Sequence, residues 1–145
     1  MSEAYTATAI AVIVLNLVAG LLGAGSWKLN RPSIGFWYLL RVAQAATLVF
    51  VLFEGILWAT AGQAEDGLHY VYAFLPVIAM LLAEGMRGAS ASQELGERDF
   101  QTLPEEDRQM VALAIVRRET GVMTVSTLVV AFLVWRAVIT TAGIF

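Results

Sequence analysis

Four long apolar stretches leave this chain very few ways to fold. They lie at about residues 4–27, 34–61, 68–89 and 121–144. A bilayer's hydrocarbon core of roughly 30 Å is crossed by about 20 helical residues. Inside it every backbone N–H and C=O must be satisfied within the structure, which leaves helices or closed barrels. Barrels are built from short alternating segments, not continuous runs, so these stretches are predicted to be helices. Composition agrees: 59% of the 145 residues are hydrophobic and 14% charged, against roughly 45–50% and about 25% in soluble domains. A soluble domain of this size buries only about two-thirds of its surface. Lipid is the solvent that fits. The expected fold is all-α, a four-helix transmembrane bundle forming a single membrane domain over residues 1–145, with the lipid bilayer as its first partner.

The basic residues predict its direction. Lys28 and Arg31 fall between the first two spans, with Arg41 just inside the second. Arg87, Arg98, Arg108, Arg117 and Arg118 lie between or beside spans three and four. The remaining connection, GQAEDGLH, holds Glu65 and Asp66 and no Lys or Arg. Basic connections face the cytoplasm, so both termini are expected outside. The leading MSEAYTATAI has no basic residue before its apolar run, and the expectation is a retained first helix, not a cleaved signal.

Residues 90–120 are expected to form the one sizeable cytoplasmic segment. Within it TLPEEDRQMVALAIVRRE reads as a helix. Pro104 suits a first turn, and Glu105, Glu106 and Asp107 suit the positive end of a helix dipole. Met110, Val111, Ala114 and Ile115 then recur at helical spacing. No proline separates this stretch from span four, which allows one long helix projecting from, or skimming, the membrane face. A solvated extension with some interface contact is the plainer reading, a partner-docking surface the sharper one.

Ionisable residues inside spans are costly and usually face the bundle interior. Counting depth from each helix end predicts two polar layers. The outer one holds Glu54, Trp58, His69, Tyr72 and Arg136; the inner one holds Arg41, Gln44, Glu84, Arg87, Arg118 and Glu119. Both mix charge signs, as ion pairs in a low dielectric require. Spacings of three and four agree, giving seams Gln44–Thr47–Val51–Glu54–Trp58, His69–Ala73–Pro76–Met80–Glu84–Arg87 and Glu119–Val122–Ser126–Val129–Leu133–Arg136–Thr140. The expected contacts are Glu54–Arg136 and Arg41–Glu84. On helix one, Asn16, Gly20 and Gly23 make a small face for close helix packing. Pro76 is expected to kink its helix and free a carbonyl, widening the outer half into a cavity. The plainer alternatives are a tolerated kink and charge layers that only fix helix register.

Little in the sequence points to catalysis. Cysteine is absent, which removes disulfides, thiolate metal sites and cysteine nucleophiles. His69 is the single histidine, and bis-ligated haem requires a second axial ligand at its depth; an interfacial anchor or a partner for Glu54 is the simpler role. The acidic residues do not form the paired sets of di-metal bundles, and phosphate loops and nucleophile motifs are missing. The basic residues are few and are accounted for by topology, so no nucleic acid is expected as a partner.

The runs FWYLLRVAQ, LHYVY with LP a few residues on, AEGMR and AIVRRETGVM resemble small, uncharacterised four-helix bacterial integral membrane proteins, a likeness that covers nearly the whole chain. It implies a multi-pass protein of the bacterial cytoplasmic membrane and carries no known activity. A fainter likeness runs to four-helix haem bundles of the haem A synthase and membrane cytochrome b kind, which place several histidines on facing helices. The leading expectation is a non-catalytic accessory or small-molecule-binding bundle with an outward-facing polar pocket, no metal and no cofactor. A proton-linked or ion transporter, dimeric, is the alternative; a haem- or quinone-binding redox protein is the second. A homo-oligomer or a larger membrane complex is the expected setting.

Overall fold

The computed structural model describes residues 3–61 and 67–141. In chain order they form α1 (Glu3–Leu29), α2 (Ile34–Ala61), α3 (Gly67–Gly88), the short α4 (Ser90–Leu95), a 3-10 turn (Phe100–Thr102) and α5 (Glu105–Thr141). Four of these helices are long and apolar enough to cross a membrane. One end of the bundle gathers Glu3, Ala61, Gly67 and Thr141 and is here the terminal end. The other carries the α1–α2 turn and the α3–α5 connection and is the basic end. The acidic connection at 62–66 lies outside the described residues.

Local chemistry sets the element boundaries. Asn30 closes α1 in the left-handed region (φ 52°), where the Arg31 amide reaches back to the Ser26 carbonyl (3.0 Å); asparagine tolerates this conformation better than other side chains. Ser33 then caps α2, its hydroxyl accepting from the Phe36 amide (3.2 Å). Gly96 (φ 59°) ends α4, and Arg98 donates to the last carbonyls of that helix, Glu94 and Leu95. Asp99 caps the 3-10 turn through the Gln101 amide. The Pro104 carbonyl accepts the first bond of α5 from the Arg108 amide. As the sequence allowed, α5 then runs unbroken for 37 residues. That is about 55 Å at 1.5 Å per residue, far more than a bilayer core of roughly 30 Å. Its basic-end part therefore extends past the apolar zone.

α5 is the hub. It packs along both α1 and α3, and α2 packs chiefly on α1. Gly20 and Gly23 bring α1 onto α5, since a Cβ at either would collide with Leu128 and Thr127 or with Thr124 and Phe36. Two apolar clusters fill the interior: Tyr5, Ala9, Val12, Phe50, Val130 and Val134 toward the terminal end, and Phe36, Leu40, Ala83 and Met123 toward the basic end. Between them Asn16 donates to the Thr47 hydroxyl (3.2 Å) and to the Val12 carbonyl (2.9 Å), joining α1 to α2 in a buried polar clasp.

The seams correct the sequence reading in part. On α3, His69, Ala73, Pro76 and Met80 are buried as expected, but the line continues to Ala83 and leaves Glu84 half-buried. On α2 the buried line is Phe36, Leu40, Ala43, Thr47, Phe50 and Glu54, and Trp58 stands half exposed (50%). On α5 burial is broader than one seam, from Thr120 to Ala137, because the helix covers α1 with one face and α3 with another. Pro76 is fully buried within a continuous α3.

Candidate functional site

Polar groups join α2 to α3 at two heights. Toward the basic end Glu84 collects three donors: Arg41 Nη1 (2.6 Å), Gln44 Nε2 (2.8 Å) and Arg87 Nε (2.7 Å). Arg41 also donates to Gln44 (2.6 Å), and Arg87 lies over the Trp37 ring at 5.9 Å. The expected Arg41–Glu84 contact is therefore present, in a network that leaves neither charge alone.

Arg118 and Glu119 do not join it. Arg118 turns to Glu94 of α4 (3.2 Å), and half-buried Glu119 makes no hydrogen bond or ion pair among the described residues. Both lie on α5 at the level where α4 folds back, so Arg118 meets the acid that α4 presents. That acid was invisible as a partner because α4 is only six residues long, too short for a periodic signal.

Toward the terminal end Glu54 pairs with His69 and not with Arg136. Glu54 Oε2 lies 3.3 Å from His69 Nε2, with the two side chains 3% and 7% exposed. His69 Nδ1 faces the Ala137 carbonyl at 3.2 Å. A carbonyl only accepts, so Nδ1 carries a hydrogen in this arrangement. A hydrogen bond between Nε2 and Glu54 then requires a hydrogen on Nε2 or on the carboxyl. Glu54 Oε1 is buried without a hydrogen bond among the described residues. Arg136 instead places its guanidinium over the Tyr72 ring at 5.4 Å. Trp58 meets Tyr70 edge-on, with ring centres 6.3 Å apart. The depths read from sequence bring these five residues to one end of the bundle, but Glu54 and Arg136 point to different neighbours.

Two hollows lie at the basic end. One, of about 480 Å³, runs between α3 and α5. Ala79, Ala83, Gly121 and Ser126 are its small residues; Leu82, Met86, Val122, Val125 and Val129 are its larger apolar ones. The other, of about 570 Å³, is lined by Asn30, Glu94, Arg117 and Arg118 together with Met110, Leu113 and Ala114. Trp27 and Arg118 border both. A Cβ on Gly121 would stand 3.0 Å from Trp27 Cε2, so glycine there lets the indole lie against α5. Sequence reading missed Trp27 and Gly121. A tryptophan near a span end followed by a distant glycine is common in membrane helices, and nothing local reveals that they meet.

Chemically, a groove with this apolar lining can hold a hydrocarbon, and the adjoining hollow can hold a polar or anionic group. Among the described residues no group of three or more His, Cys, Asp or Glu side chains could hold a metal ion. No protein-family model, curated protein or solved structure matches the chain, so the functional reading rests on this geometry.

Proposed function

We propose that this is a non-catalytic membrane bundle that binds a small apolar or amphiphilic molecule in the groove between α3 and α5, as an accessory or carrier unit of a bacterial cytoplasmic membrane. The observation that carries the reading is the groove itself. At about 480 Å³ it falls within the roughly 300–1,000 Å³ of small-molecule sites, and it shares their mainly apolar lining with a few polar groups at one end. The basic end faces the cytoplasm in this proposal, following the asymmetry of Lys and Arg.

The test is mass spectrometry of small molecules that co-purify with the protein, compared with the Val125→Trp variant. Val125 is 53% exposed and lines the groove, so the indole fills it without disturbing the core. Loss of the co-purified molecule is the expected result; an unchanged profile overturns the reading. A visible absorption spectrum of the same sample checks for haem.

The Glu54–His69 pair supports a second reading, proton-linked transport, because it sets two buried titratable groups 3.3 Å apart beside a carboxyl oxygen that has no hydrogen bond among the described residues. Flux into proteoliposomes across a pH gradient tests it. Flux no greater than in empty vesicles removes it.

A further inference from the structure

The apolar groove and the polar hollow meet at Trp27 and Arg118, and together they have the form of a site for a molecule with a tail and a charged head. We infer that the occupant is an anionic phospholipid, with one acyl chain along α5 in the groove and its phosphate-bearing headgroup at Arg117. The inference rests on the ligand-binding reading above and names its ligand class.

Depth is the first argument. From Gly121 to Val129, both lining the groove, α5 rises about 12 Å at 1.5 Å per residue. One leaflet contributes about half of the roughly 30 Å hydrocarbon core. The groove thus covers most of a single leaflet and ends at the tryptophan, a residue favoured at the membrane–water boundary. An acyl chain entering from that boundary has a length of groove suited to it, and Leu82 and Val125, 65% and 53% exposed, leave its side open to the membrane.

Charge is the second. Arg118 is neutralised by Glu94 at 3.2 Å. Arg117 makes no ion pair or hydrogen bond among the described residues, is exposed, and lines the hollow next to Asn30. It also borders a narrow crevice with Arg31, Ser26 and Thr120. The hollow therefore carries a net positive charge at the height where lipid phosphates lie. Basic side chains at that level favour anionic lipids by about 1 kcal/mol each. Asn30, whose side-chain amide can donate to a phosphate, lines the same hollow. Neither a wholly apolar molecule nor a soluble anion uses both halves.

Native mass spectrometry of delipidated protein in detergent, with dioleoyl phosphatidylglycerol, dioleoyl phosphatidylcholine or glycerol 3-phosphate added, tests this. Wild type is expected to retain phosphatidylglycerol in preference to phosphatidylcholine. Arg117→Gln should lower that retention about fivefold, the equivalent of one basic contact, and Arg117→Lys should restore most of it. Val125→Trp should reduce retention of either lipid at least tenfold. Equal retention of the two lipids, or indifference to Arg117→Gln, overturns the headgroup assignment. Displacement of bound phosphatidylglycerol by glycerol 3-phosphate alone overturns the role of the tail. If Val125→Trp expels some other apolar molecule while phospholipid retention ignores Arg117, ligand binding stands and the phospholipid inference falls. If Val125→Trp changes nothing bound, both fall.

Discussion

Replacing Gly23 with alanine adds one carbon where α1, α2 and α5 meet. Its Cβ would collide with Thr124 Oγ1 and stand 2.7 Å from Phe36 Cε2. Thr124 is 2% exposed and Phe36 is 0% exposed, so neither swings aside freely, and the helices must separate. Overpacking of this kind costs about 1–3 kcal/mol. Alanine recovers ~0.5–1 kcal/mol of helix preference over glycine, which leaves a net loss of about 0–2.5 kcal/mol. Gly25, two residues on, has nothing within 4 Å of its own Cβ position, so Gly25→Ala keeps the gain and has no clash. Helix preference cancels between the two variants, and they should differ by the overpacking cost alone. That difference is about fivefold to more than a hundredfold in the folding equilibrium, taking ~1.4 kcal/mol per factor of ten. SDS titration in mixed micelles, followed by circular dichroism, measures it. Thr124 Oγ1 is buried without a hydrogen bond among the described residues, so Thr124→Ala in the Gly23→Ala background should recover part of the loss. Equal midpoints for Gly23→Ala and Gly25→Ala would refute the close α1–α5 approach.

The polar bridges make further predictions. Glu54→Leu removes the acid from His69, which keeps the Ala137 carbonyl, and should cost about 1–3 kcal/mol for the lost buried hydrogen bond. Glu54→Leu with His69→Phe should lose less than the two single losses summed, and additive losses in a double-mutant cycle would contradict the contact. Asn16→Leu and Thr47→Val each remove the α1–α2 clasp at about 0.6 kcal/mol, and no more than ~1.7. Their combined loss should be no larger than either alone, as read by the same titration. Glu84→Gln leaves Arg41 and Arg87 without a carboxylate. Three charge-assisted hydrogen bonds to the carboxylate are weakened together, so the loss should be about 1.5–3 kcal/mol, read by the same titration.

Much of the candidate site was legible in residue type and depth. Arg41, Gln44, Glu84 and Arg87 were grouped by counting from helix ends, and they meet because α2 and α3 are antiparallel and start from connections at opposite ends. Glu54 and His69 were placed at one height for the same reason. Counting gives height but no azimuth. Glu54 had a basic residue at its level on α3 and another on α5, and only the bundle's arrangement selects α3. The larger miss was Trp27 with Gly121, residues from helices far apart in the chain that border both hollows.

What the sequence determined by itself is the solvent of each segment. The transfer of an apolar run into hydrocarbon, and the demand that its backbone bond internally, are properties of that run alone. Composition therefore sufficed for four helices and allowed the continuity of α5. Tertiary structure decided which faces meet: α5 as the hub, Glu54 on His69, Arg118 on α4, and the groove beside Trp27. These depend on close approach between distant residues, permitted by glycines at 20, 23 and 121. Helices that are apolar all round offer lipid and protein nearly the same surface, and packing shape, not hydrophobicity, chooses between them.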